Sequence, residues 1–405
     1  MQPTAPEPPI PAHPLNSTWT RFRYPIFILL TLLFFLTARY CFNTVNNPNS
    51  DFFTFWLAGR LAASGQNPYL ADTWVGGHQQ YGVEWIPNQT FIYPLPLAYL
   101  FIPLGLLPYG QAYLVWAILT QWMILSSILL LVRAMPSPSF TRFLPPLLAG
   151  AALFRPTLLT LRNGQLTALL VIIAAVVAFL WQRGNWRAGS ALLPLLALKP
   201  NLGMPIIGLL AVYLLFQKQY RSLGLMALSG GLIFLSGFLL NNRWLMDFWS
   251  AGSTKLSQTF GYSPTVWGLA GFFTHHSPTE SVMLGAALSL AVAGGLIVLF
   301  IRGRAELSPL YAVSLALTGT LLITPYTWPY DQLLLVVPVV LLTYRLAERR
   351  SSFLPAAILF LLLDLLTLAL LLVSIRYETE IWNAALPLLI LCSLAFFRAK
   401  EISPK

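Results

Sequence analysis

Runs of apolar positions recur along the whole chain, at residues 25–43, 111–132, 143–160, 164–181, 186–199, 200–217, 222–240, 281–301, 307–323, 332–344, 353–373 and 382–397. Each run is continuous, without the alternation of a half-buried strand, and most approach the ~20 residues a helix needs to cross a bilayer. The pattern predicts an all-α polytopic membrane protein with about 12 transmembrane helices and excludes an outer-membrane barrel. Runs 186–199 and 332–344 are short, so their ends must extend into flanking residues or break inside the protein. Residues 91–108 are apolar but carry Pro94, Pro96, Pro103 and Pro108, which predicts a re-entrant or interfacial segment. Two long polar stretches remain, 44–90 and about 241–280. No internal repeat of the kind many transporters carry is visible.

Composition agrees with that pattern. Of 405 residues, 57% are hydrophobic and 9% charged, against about a quarter charged in a soluble domain, and the mean hydropathy is +0.69. An ordinary soluble enzyme and a disordered chain are both excluded. Cys41 and Cys392 stand far apart and give neither a disulfide framework nor metal spacing. The net charge of +11 is read through topology rather than as a nucleic-acid footprint. With the N-terminus inside, 16 of the 24 Lys and Arg residues fall on the cytoplasmic side, as the positive-inside rule requires. Both termini are then cytoplasmic, and both long polar stretches face outward. Residues 1–20 predict a disordered Pro-rich tail, residues 21–405 a single multi-pass domain. No cleavage site follows the first apolar run, which reads as a retained anchor in a bacterial cytoplasmic membrane.

The chemistry concentrates on the outer side. Ser50 is placed to cap a helix that opens with Asp51 and ends before Asn67-Pro68. Its apolar side (Phe52, Phe55, Trp56, Leu61) predicts a helix lying along the membrane surface. A carboxylate held at such a helix start suits a general base acting on a hydroxyl. Arg162, Asn163 and Gln165 sit at a tight turn around Gly164, either capping helix ends or binding an anionic or sugar-like group. Lys199, stopped by Pro200 between two apolar runs, is costly unless paired or wet, and is a candidate phosphate ligand with Arg155. Tyr326, Trp328 and Asp331 share a short outer turn, where the rings serve as interface anchors or sugar platforms. His275 and His276 stand in the second polar stretch, able to contact a polar substrate. Asp364 lies mid-membrane as a proton relay or an interhelical hydrogen-bonding group. No GxxxxGK[ST], GxGxxG or HExxH pattern occurs, against a nucleotide-driven pump or a membrane zinc protease.

In order along the chain stand SDFFTFWLAGRLAASGQNPY, YPLPLAYL, NGQLTALL, RGNWRAGSALLPLLALKP and TPYTWPYDQLLLVVP. This order, from about residue 25 to 345, resembles the polyprenol-phosphate-dependent enzymes of glycosyltransferase family 87, with a GT-C membrane fold. The resemblance implies transfer of a hexose, mannose first, from a polyprenyl-phosphate donor to a glycan or glycolipid acceptor at the outer face. It implies Asp51 as the base of an inverting displacement. Gly164-Gln165 and Lys199-Pro200 match the family's GQ and KP elements, and Lys199 and Arg162 are assigned as cations beside the donor phosphate. Arg155, Arg60, Tyr326, Trp328, Asp331, His275 and His276 complete the candidate substrate-binding set with Gln165. The chain has Thr324-Pro325 and Thr327-Trp328 at the late motif but lacks the histidines that follow it in the family. Neither a cofactor nor a nucleic-acid partner is implied, and no spacing of the outer acids marks a divalent-cation site. The alternatives are a transporter or flippase using Asp364, and a scaffold that binds lipid-linked glycans without turnover.

Overall fold

The structure, a computed structural model, describes residues 17–45, 50–83, 86, 88, 90–303, 307–349 and 354–402. Among these, every regular element is helical. The N-terminal half holds α1 (Ser17–Val45), α2 (Asp51–Ala63), α3 (Ala71–Gln80), α4 (Leu95–Leu100), α5 (Ile102–Gly105), α6 (Tyr109–Ala134), α7 (Leu144–Leu153), α8 (Arg155–Asn163) and α9 (Thr167–Gln182). Then follow α10 (Trp186–Leu192), α11 (Pro200–Phe216), α12 (Tyr220–Ser236), α13 (Trp244–Thr259), α14 (Val266–Phe273) and α15 (Pro278–Arg302). The chain closes with α16 (Pro309–Ile323), α17 (Val336–Arg349), α18 (Leu354–Tyr377) and α19 (Ala385–Ile402).

Each of the twelve apolar runs coincides over most of its described length with helix, and among the described residues five helical segments are long and apolar enough to cross a membrane. They are Tyr109–Ala134, Tyr220–Leu239, Pro278–Arg302, Pro329–Ala347 and Ala357–Tyr377. A sixth span results if Phe140–Leu153 and Arg155–Asn163, bent by 57°, are one broken crossing. Elsewhere the apolar helical stretches, such as Phe27–Asn43 within α1, run 10–17 residues, with breaks at prolines such as Pro194 and Pro200. The helix at residues 91–108 never forms as one piece: the prolines divide it into α4 and α5, six and four residues long. Of the expected disordered tail, residues 17–20 already belong to α1, and residues 1–16 lie outside the described residues.

The arrangement is layered. In α16 every residue from Leu310 to Leu322 is buried, so this helix is the axis of the bundle. It packs on α9, α11, α15, α17 and α19. Outside it, α12, α15 and α18 turn large apolar side chains outward, among them Leu235, Leu290 and Leu372. Such a continuous apolar exterior fits lipid rather than water. One expectation is corrected here. The helix opening at Asp51 does not bury one apolar side alone: Phe52, Phe53, Phe55, Trp56, Leu57, Ala58, Gly59 and Leu61 are all buried. The cause is packing by α4, α5 and α6 together with the rings of Tyr81, Tyr109 and Tyr113, which cover faces the sequence pattern left open.

Candidate active site

The site forms where the starts of α2, α9 and α11 meet the turn before α17. Asp51 opens α2 as expected, but Ser50 does not cap it through its side chain. The Ser50 hydroxyl instead pairs with the Tyr109 hydroxyl at 2.8 Å, tying the helix start to α6. Gly164 ends α8 with φ of +62°, a left-handed conformation that glycine adopts without strain. A Cβ there would lie 2.4 Å from Phe52 Cβ. The missing side chain therefore lets the α8–α9 turn press against α2 and brings Gln165 to Asp51.

A buried chain of polar contacts results. Gln165 Nε2 donates to Asp51 Oδ2 at 2.5 Å. Gln165 Oε1 accepts from Lys199 Nζ at 3.1 Å. An ammonium only donates, so Lys199 fixes the amide with its NH2 toward Asp51. Lys199 also donates to Thr167 Oγ1 at 3.4 Å and forms a 2.5 Å ion pair with Asp331. The other side of Asp331 accepts from Thr327 Oγ1 and from the Trp328 backbone N–H, at 3.0 and 3.1 Å. Thr167 Oγ1 donates to Asp331 Oδ1 at 2.8 Å. Both charges are buried, and a buried pair is tolerated only when its remaining donors and acceptors are satisfied in this way. Lys199 reaches this position because the 3-10 turn Leu193–Leu198 folds tightly under α11. At Gly203 a Cβ would overlap the Leu196 carbonyl, so that closeness requires glycine.

Asp51 forms part of the wall of a cavity of about 230 Å³, with Thr54, His78, Asn88, Lys255 and Trp328 among its neighbours. Burial pushes the Asp51 carboxyl up from its ordinary range, while the Gln165 hydrogen bond and the charges of Lys199 and Lys255 pull it back and Asp331 adds to the rise. His78 Nδ1 lies 2.8 Å from the Trp74 carbonyl, which only accepts, so the proton sits on Nδ1 and Nε2 is an acceptor. Burial lowers the His78 pKa and favours this neutral form.

A second cavity of about 780 Å³ adjoins the first, sharing Ile92, Tyr93, Lys255 and Tyr326 with it. Its walls are apolar, built by Met204 and Ile207 of α11, Met226 and Phe234 of α12, and Trp244, Phe248 and Trp249 of α13. Its outer edge is open, since Met204 is 57% and Trp249 74% exposed.

Several sequence candidates thus converge: Asp51, Gln165, Lys199, Asp331, Tyr326 and Trp328 belong to the chain of contacts or the cavity walls. Others do not line either cavity. Arg60 donates to the Gly105 carbonyl and lies over the Trp56 and Tyr81 rings. Arg155 pairs with Glu380 and Asn383. Arg162 is exposed at the end of α8. His275 and His276 both have positive φ, and His276 stacks on Tyr262. Asp364 stays within α18, its Oδ1 buried with no hydrogen-bond partner among the described residues. Lys255, His78 and Tyr93 were not singled out from sequence. Lys255 had a readable signal: it continues the stripe Trp244, Phe248, Gly252 at helical spacing on one face of α13. Among the described residues no group of three His, Cys, Asp or Glu is gathered to hold a metal.

The sequence profile of glycosyltransferase family 87 matches residues 91–325, more than half of the chain. Gln165, Lys199 and Lys255 lie within the matched stretch, Asp51 before it and Asp331 after it. No curated protein matches the chain.

Proposed function

The chain belongs to glycosyltransferase family 87, and on that premise we propose that it moves a hexose, mannose first, from a polyprenyl-phosphate donor to a glycan or glycolipid acceptor. The observation that supports this most is the pair of adjoining cavities: a small one of mixed polar and apolar lining that holds the Asp51 carboxylate, and a larger apolar one open at its edge. A lipid-linked sugar has the same division, with a hydroxyl-rich head and a hydrocarbon tail.

In the proposed reaction the acceptor hydroxyl enters beside Asp51. The carboxylate takes its proton as the oxygen attacks the anomeric carbon. The bond from that carbon to the phosphate oxygen breaks, polyprenyl phosphate leaves with the electron pair, and the anomeric configuration inverts. Gln165, oriented by Lys199, holds the carboxylate in position. Twelve crossings with both termini cytoplasmic would set this site at the outer face of the cytoplasmic membrane. A transport reading built on Asp364 gains no support, because that residue lines neither cavity.

The test is transfer from a panel of polyprenyl-phosphate sugars by purified wild type and Asp51→Asn. The variant is expected to fold and to lose about 10²–10⁴-fold in rate, the usual contribution of a general base. Transfer at the wild-type rate by Asp51→Asn would refute the assignment.

A further inference from the structure

A ligand that occupies both cavities must pass through the place where they meet. Four residues belong to both walls: Ile92, Tyr93, Lys255 and Tyr326. One of the four is a cation. Resting on the lipid-phosphate donor reading above, we propose that the Lys255 ammonium binds the donor phosphate, with the sugar in the Asp51 cavity and the isoprenoid tail in the apolar groove along α11, α12 and α13.

The valence of the two lysines decides between them. An ammonium carries three N–H donors. Those of Lys199 are directed at Gln165, Thr167 and Asp331, and its charge is met by the Asp331 carboxylate. A phosphate could reach Lys199 only by breaking a buried ion pair. The Lys255 ammonium has no hydrogen-bond or ion-pair partner among the described residues, the Thr259 hydroxyl bonding only the Lys255 backbone carbonyl. Its burial disfavours the charged form and Asp51 favours it, so an anion arriving at the junction would relieve a cost already present. The reaction adds a further reason. The donor is a phosphodiester with one negative charge, whereas the leaving polyprenyl phosphate is a monoester that gains another. An ammonium at that oxygen holds the transition state more strongly than the ground state. Tyr93 and Tyr326 line the same junction.

Farnesyl phosphate is the probe, a short mimic of the leaving group. Its binding to purified detergent-solubilised protein is read by the fluorescence of the groove tryptophans Trp244 and Trp249. Farnesol, which lacks the charge, and inorganic phosphate, which lacks the tail, are the two comparison ligands. Wild type is expected to prefer farnesyl phosphate over farnesol by at least about tenfold, as a charge-assisted hydrogen bond provides, and inorganic phosphate should not displace it at equal concentration. Lys255→Met should bind both lipids alike, with farnesol affinity unchanged as evidence that the groove is intact, and Lys255→Arg should restore the preference. If Lys255→Met keeps the preference, the Lys255 assignment falls while the lipid-phosphate reading stands. If wild type shows no preference, both fall. Displacement by inorganic phosphate at equal concentration would make this a free-anion site and overturn the proposal.

Discussion

As the proposed base, Asp51 accepts a proton only as the carboxylate, so on that proposal activity is expected to fall as pH drops through its pKa. Burial raises that pKa, which places the acid limb of the rate profile above the ordinary carboxylate range. The groups acting on Asp51 are Gln165, Lys199, Asp331 and Lys255. Gln165→Leu deletes the hydrogen bond to the charged form and leaves the Lys199–Asp331 pair with its threonines. The acid limb of kcat/KM should therefore move to still higher pH in that variant. A uniform loss at every pH, without a shift, would mean that Gln165 serves packing alone. Asp51 and all of these groups but Lys255 were singled out in the sequence: an acid at a helix start, an amide at a tight turn, a lysine between apolar runs, an acid in a short aromatic turn. What Lys199 does was not legible, since its partner Asp331 lies 132 residues further on. A lone lysine in an apolar context reads as a free cation until the fold supplies its carboxylate.

At the scale of elements, the turn between α8 and α9 governs the register of the site. Gly164→Ala would place a methyl group against Phe52 in a left-handed conformation. The expected cost is about 2–4 kcal/mol from strain and overpacking. It should appear as a lower unfolding temperature of the purified protein, with transfer reduced because α2 is pushed from Gln165. Helix positions were largely readable from the apolar runs, and the proline-broken 91–108 segment from its four prolines. The burial of α2 was not. Its period marks one apolar side, but the aromatic rings that enclose the rest come from α3 and α6, and periodicity within one segment carries no information about what packs outside it.

The molecule as a whole separates its charges from its site. α9 starts beside Gln165 and ends next to Arg183, about 24 Å away at ~1.5 Å per residue. α11 starts at Lys199 and leads to Lys218, and the segment that opens with Asp331 leads to Arg345. Arg183, Lys218 and Arg345, three of the basic residues assigned inward from sequence, thus sit toward the far ends of segments whose other ends build the site. The proposed orientation is testable: in a cysteine-free background, Gln66→Cys should react with a membrane-impermeant maleimide in intact cells, and Lys218→Cys only after permeabilisation. The reverse pattern would invert the topology. Both positions are exposed.

The open edge of the apolar groove has a kinetic meaning. With Met204 and Trp249 at its rim, the proposed donor's tail would enter sideways from the lipid and never have to leave the hydrocarbon. The encounter is then a search in two dimensions. What sets the rate of donor capture is the mole fraction of donor within the leaflet, not its amount per volume of water, so diluting the membrane with inert lipid starves the enzyme even when the total supply is unchanged.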